Sequence, residues 1–185
     1  MAADGPRLMI ANLITLLRIA LVPFVVWVVF AEPNRGSAWR WLAVLLFVIS
    51  AATDGVDGAV ARKRGEVTNL GKLLDPIADK LLIGGVLVSL SILGEVDWSI
   101  TGIILVREIA ITIYRFAVIR DRVIAASGGG KLKTIMQSIM VGFLLSPANW
   151  MPFGVQPYVE FGLIWVSVVL TVWTGIGYLA AGAKK

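Results

Sequence analysis

Residues 54–79 read DGVDGAVARKRGEVTNLGKLLDPIAD. Reduced to its spacing, the stretch is D-x-x-D-G-x-x-A-R, eight residues, then G-x-x-x-D-x-x-x-D. Asp54, Asp57, Gly58 and Ala61 recur at i, i+3, i+4 and i+7, which puts them on one face of a helix. Gly71, Asp75 and Asp79 recur every four residues and share a face of the next helix. The connection between the two is short, so the helices are expected to run antiparallel as neighbours, with their acidic faces meeting at one end. Gly58 and Ala61 carry little bulk, which lets a ligand or a partner helix approach closely. Pro76 sits too deep in the second helix for a first-turn proline and predicts a local kink there.

Outward from this stretch the chain is apolar. Of its 185 residues 58% are hydrophobic and only 16% charged, too little polar surface for a soluble domain of that size. Stretches able to cross about 30 Å of hydrocarbon recur at about 13–31, 40–61, 72–94, 98–119, 133–150 and 157–181. The expected fold is therefore all-α: a polytopic membrane protein with six transmembrane helices, built as one domain over residues 1–185. Asn12, Thr15 and Arg18 make the start of the first segment too polar for a plain span. A short N-terminal interfacial helix that turns into the bilayer before Pro23 is expected there. The first apolar stretch is long and lacks a small-residue cleavage site, so no cleavable leader is expected.

The charge of the chain, +5 from 17 basic and 12 acidic residues, is placed unevenly. Arg62, Lys63, Arg64 and Lys72 surround the second connection, Arg120, Arg122, Lys131 and Lys133 the fourth, and Lys184 and Lys185 close the chain. The alternate connections carry Arg35 and Arg40, then Glu95 and Asp97, then no basic residue between Pro147 and Glu160. The positive-inside rule puts both termini and the even-numbered connections in the cytoplasm. Trp39, Trp41, Trp98 and Trp150 fall at the opposite ends of the spans, where interfacial aromatics belong. Basic clusters flanking apolar spans fit anionic headgroups, so nucleic acid is not an expected partner.

The chain contains no cysteine and no histidine. Disulfides, thiolate catalysis, zinc-finger ligation and imidazole acid–base chemistry are thereby excluded. The available chemistry belongs to carboxylates, Lys and Arg, Tyr, hydroxyls and bound metal. Ionisable groups in membrane helices are costly and mark function by default. Four close carboxylates cannot all stay ionised without cations, and an all-oxygen donor set selects hard ions such as Mg²⁺ or Mn²⁺. Two such ions about 4 Å apart suit phosphoryl transfer. Arg62 is placed to balance the charge of a diphosphate. The bland alternative, in which the acids form structural ion pairs, fails to explain why apolar helices would need four of them.

The full spaced motif resembles the signature of the CDP-alcohol phosphotransferases and matches it at every position across residues 54–79. That resemblance implies a six-helix membrane fold, a homodimer, and transfer of a CDP-activated phosphatidyl group to an alcohol with release of CMP. It implies Asp54, Asp57 and Asp75 as ligands of two divalent ions, Mg²⁺ or Mn²⁺. Asp79 would be the general base and a further ligand, with Gly58, Ala61, Arg62 and Gly71 lining the CDP moiety.

Outside the motif, the fourth segment carries Arg107, Glu108 and Arg115 in VREIAITIYRFAV, and GKLKT at residues 130–134 brings Lys131 and Lys133. Arg107 is too far from either end of its span to snorkel easily, and Arg107 with Glu108 can form a structural pair. Basic residues at a glycine-rich entry to a helix also make a phosphate site, which points to an acceptor bearing its own phosphate. Together with NLITLLR at residues 12–18, these stretches resemble the branch of the family whose donor is CDP-diacylglycerol and whose acceptor is glycerol 3-phosphate. On that resemblance Arg107, Arg115, Lys131 and Lys133 hold the acceptor phosphate. A CDP-dependent cardiolipin synthase or an inositol-phosphate transferase would share the aspartates and differ in the acceptor pocket. Prenyl-transferring enzymes use adjacent acids, and no Asp-Asp pair occurs here. A carboxylate-based cation transporter is the alternative from another class, but the four acids cluster in one half of the chain instead of repeating in two.

Overall fold

In the computed structural model the backbone is described over residues 6–64, 69–118 and 128–183, and the side chains over 15–53, 77–114, 130–178 and 180. The described residues form six long helices and no strand: α1 (Pro6–Ala31), α2 (Arg40–Arg64), α3 (Asn69–Ile92), α4 (Trp98–Val118), α5 (Gly128–Leu145) and α6 (Gln156–Ala183). A single 3₁₀ turn, Pro152–Gly154, lies between α5 and α6. The all-α expectation holds, with boundaries within a few residues of those read from hydropathy. The largest shifts are at the start of α1, which begins at Pro6, and at α5, where the three glycines 128–130 are the first turn of the helix itself.

The N-terminal interfacial helix does not form as a separate element. α1 runs unbroken past Pro23, which removes one backbone hydrogen bond without ending the helix. Two of the three polar residues that prompted the expectation, Thr15 and Arg18, are buried; the side chain of Asn12 lies outside the described residues. The kink expected at Pro76 falls outside the residues whose side chains are described; the helical assignment of α3 is continuous through it.

Helix α3 sits at the centre. It packs on α1, α2, α4 and α5, while α6 closes the bundle against α4 and α5. The core draws Val25, Val28 and Val29 from α1, Phe47 from α2, Leu82, Val86, Leu87 and Leu90 from α3, and Met140, Leu144 and Leu145 from α5. Two glycines set how closely neighbours approach. A Cβ on Gly84 would come within 2.9 Å of Leu105 Cδ2 across the α3–α4 contact, and one on Gly175 within 3.3 Å of Arg107 Cγ across α4–α6.

The end of the bundle opposite the aspartate motif is closed by buried charge. α3 stops in a Schellman turn: Gly94, at φ +74°, donates to Ser91 O at 3.1 Å, and Glu95 N–H reaches back to Leu90 O at 2.9 Å. This turn aims Glu95 at Arg40, whose side chain is wholly buried and donates to it. Arg35 pairs with Glu160 at the start of α6 and lies 3.7 Å from Glu95. Gln156 adds bonds to Glu160 at 2.8 Å and to Pro147 O at 2.9 Å. Asp97 caps α4 by accepting the Ser99 N–H at 2.7 Å. Three separate connections are thus tied into one lid.

The exterior is apolar on every helix. Trp27, Val106, Ile113, Phe161 and Trp173 are all exposed, whereas Ser50, Ser89, Thr101, Gln137 and Thr171 are buried. Such continuous apolar exposure is a liability in water and suits lipid. Among the described residues one segment, Gln156–Tyr178, is both long and apolar enough to cross a bilayer on its own; Thr15–Ala31 and Arg40–Thr53 are shorter apolar stretches. α4 carries Arg107, Glu108 and Arg115 within its apolar sequence.

Candidate active site

The motif straddles one hairpin. Asp54, Asp57, Gly58, Ala61 and Arg62 lie in the C-terminal half of α2, and Gly71, Asp75 and Asp79 in the N-terminal half of α3. The helices are separated in sequence by residues 65–68 and touch, so the acid-bearing halves face the same end of the bundle. The side chains of Asp54, Asp57, Gly58, Ala61, Arg62, Gly71, Asp75 and Arg115 lie outside the described residues. Asp79 is the one motif acid inside them, partly buried on the central helix. No three acids converge on a metal site among the described residues. The donor set itself, four carboxylates on adjoining helices and no nitrogen or sulfur ligand, fits hard divalent cations.

Next to Asp79 stands a cationic cluster. Glu108 on α4 is its hub. Lys133 Nζ donates to Glu108 Oε1, Arg107 Nη1 donates to the same oxygen at 3.0 Å, and Lys80 Nζ lies 3.6 Å from Oε2. Arg107 is further fixed to α6, donating from Nε to Thr171 O at 3.1 Å and from Nη2 to Thr174 Oγ1 at 2.7 Å. Gln137 on α5 donates to Thr171 Oγ1 at 2.9 Å. Glu108, Lys133 and Gln137 are buried. Lys80, Asp79, Glu108 and Gln137 share the wall of a cleft of about 240 Å³ between α3 and α4.

Of the residues expected to hold an acceptor phosphate, Arg107 and Lys133 are therefore brought together, on α4 and α5. The two are joined through Glu108. Lys131 is exposed, on a different side of α5 from Lys133. Arg107 does not snorkel; its charge is met inside the bundle. Lys80, Gln137, Thr171 and Thr174 were missed. Lys80 had a usable signal, since it directly follows Asp79. The two threonines had none, being ordinary small polar residues in an apolar helix.

The profile of the CDP-alcohol phosphatidyltransferase family matches residues 8–173. The chain belongs to the CDP-alcohol phosphatidyltransferase family. This match covers α2 to α5 whole and most of α1 and α6, and it separates the protein from a carboxylate-based transporter. Among curated relatives, one named probable phosphatidylglycerophosphate synthase, from Mycobacterium tuberculosis strain H37Rv, is 42% identical over 175 residues, 95% of this chain and 82% of the relative. A CDP-diacylglycerol–glycerol-3-phosphate 3-phosphatidyltransferase from Bacillus subtilis strain 168 is 37% identical, covering 91% of this chain and 92% of the relative. One of the same name from Rickettsia bellii is 33% identical, covering 94% of each.

Proposed function

We propose that this member of the family transfers the phosphatidyl group of CDP-diacylglycerol to glycerol 3-phosphate, forming phosphatidylglycerophosphate and CMP in phospholipid biosynthesis. The observation that carries the choice of acceptor is the cluster beside Asp79. Arg107, Lys133 and Lys80 share the single carboxylate of Glu108, which leaves the cluster positive even when Asp79 on the same cleft wall is counted. A phosphate monoester carries about −1.5 to −2 at neutral pH. The charge of the cluster complements an acceptor that brings its own phosphate, and the names of the relatives point the same way.

In the reaction, the primary hydroxyl of glycerol 3-phosphate attacks the β-phosphorus of the donor. Asp79 takes the hydroxyl proton, the new O–P bond forms, and the bond to the α-phosphate oxygen breaks to release CMP. Asp54, Asp57, Asp75 and Asp79 would hold two divalent ions, Mg²⁺ or Mn²⁺, which supply charge neutralisation at the diphosphate. Gly58, Ala61 and Gly71 leave room for the CDP moiety, and Arg62 pairs with its charge. Arg107 and Lys133, with Arg115 further along α4, orient the acceptor; Lys131, on another side of α5, has no part in this reading.

The setting is part of the same reading: a single domain with six spans in a bacterial inner membrane, assembled as a homodimer. The acyl chains of the donor remain in lipid while its CDP moiety reaches the site from the cytoplasmic side. The apolar exterior supports the membrane placement, and the placement of basic connections supports the sidedness. A cysteine at position 66 (Glu66→Cys) should react with an impermeant thiol reagent only from the cytoplasmic side; labelling from outside intact cells would invert the topology. The deciding assay for function is CMP release from CDP-diacylglycerol by the purified protein, with glycerol 3-phosphate, phosphatidylglycerol and inositol phosphate offered in competition. Release that depends on glycerol 3-phosphate is expected. Release driven by another acceptor would keep the family and overturn the substrate.

A further inference from the structure

The three cations around Glu108 are not equivalent. Lys133 and Arg107 both donate to Glu108 Oε1, and their side chains are 5% and 13% exposed. Arg107 also donates to Thr171 and Thr174. Both cations are anchored by hydrogen bonds. Lys80 faces the other oxygen at 3.6 Å, an ion pair outside hydrogen-bond range, and its side chain is 25% exposed at the cleft between α3 and α4. Its position is one residue along α3 from Asp79, so its Cα is fixed relative to the base of the proposed reaction by the most central helix in the bundle.

We infer that Lys80 is an acceptor-phosphate ligand that exchanges its pairing with Glu108 for the phosphate when the acceptor binds. The inference rests on the proposed acceptor reaction and adds a residue to it. Physically the exchange is favourable: a loose, partly solvated ion pair is traded for a charge-assisted hydrogen bond to a dianion. Glu108 does not lose compensation, because Lys133 and Arg107 stay on its other oxygen. Glu108 is then a positioning residue. Its single charge keeps three cations from repelling one another apart, and it leaves the third free to change partner.

Lys80→Gln should raise the KM for glycerol 3-phosphate about tenfold or more, with the KM for CDP-diacylglycerol unchanged, and Lys80→Arg should restore most of the loss. A structural role alone would lower turnover without separating the two substrates. On the unaltered protein, mass spectrometry after treatment with an amine-acylating reagent gives a second readout: glycerol 3-phosphate should slow modification of Lys80 severalfold, and glycerol should not. If Lys80→Gln does not fold, that protection experiment decides alone. An unaltered acceptor KM in folded Lys80→Gln, or equal labelling with and without glycerol 3-phosphate, overturns the role of Lys80. If the unaltered protein does not turn over glycerol 3-phosphate while using another acceptor, the proposed reaction itself is what fails.

Discussion

Lys133 on α5 and Glu108 on α4 form a buried ion pair that links two helices across the proposed acceptor site. A lysine placed for phosphate binding is thus already compensated before any substrate arrives. This arrangement lets a cation sit inside an apolar bundle without the full cost of an unpaired charge.

The pair predicts two separable effects for Lys133→Gln. The KM for glycerol 3-phosphate should rise about tenfold or more, following roughly 1.4 kcal/mol per decade. Stability in detergent should also fall, but by less than the roughly 3–5 kcal/mol typical when a buried charge is stranded, since Arg107 still donates to Glu108 at 3.0 Å. Steady-state kinetics with both substrates and thermal unfolding of the same preparation test this. A selective loss of donor affinity would show that the acceptor pocket is misplaced.

Arg62→Gln should behave in the opposite sense. On the proposed reading it pairs with the donor, so the KM for CDP-diacylglycerol should rise while that for glycerol 3-phosphate stays level. Equal effects on both substrates would contradict the division of labour between α2 and the α4–α5 pair.

Activity should vanish in EDTA and return with Mg²⁺ or Mn²⁺. Asn at Asp54, Asp57 or Asp75 should remove most turnover and leave a folded protein, because relieving repulsion among carboxylates does not destabilise the apo form. Full turnover in chelator would rule out the two-ion arrangement. Unfolding of all three variants would return the acids to a structural role.

The opposite end of the bundle should matter for stability alone. Glu95→Gln strands the wholly buried guanidinium of Arg40, a change expected to cost about 3–5 kcal/mol without altering either KM in the surviving folded fraction. Thermal unfolding with parallel kinetics distinguishes this from a catalytic role.

Gly84→Ala tests the spacing of α3 and α4 next to the cleft. Its methyl would stand 2.9 Å from Leu105 Cδ2, an overpacking expected to cost about 1–3 kcal/mol. Leu105→Ala in the same chain should recover part of that loss. If Gly84→Ala is as stable as the parent, the Leu105 side chain turns aside and Gly84 does not set the spacing.

Some of this protein is legible in its sequence because it depends on local periodicity. The 3.6-residue repeat brings Asp54 to Asp57 and Asp75 to Asp79 without knowledge of any other helix, and apolar runs mark the six helices. The absence of cysteine and histidine settles which acid–base chemistry is unavailable. The identity of each cation's partner is another matter. Glu108 meets Lys133 from 25 residues away, and Arg107 meets Thr171 and Thr174 from 64 and 67 residues away. Thr15 and Arg18, which read as an interfacial start, instead face inward. Each of these outcomes is set by the rotation and register of one packed helix against another, fixed by contacts such as Gly84 on Leu105 and Gly175 on Arg107. A residue's spacing along its own helix carries no information about that rotation, so only the tertiary structure decided which charges meet.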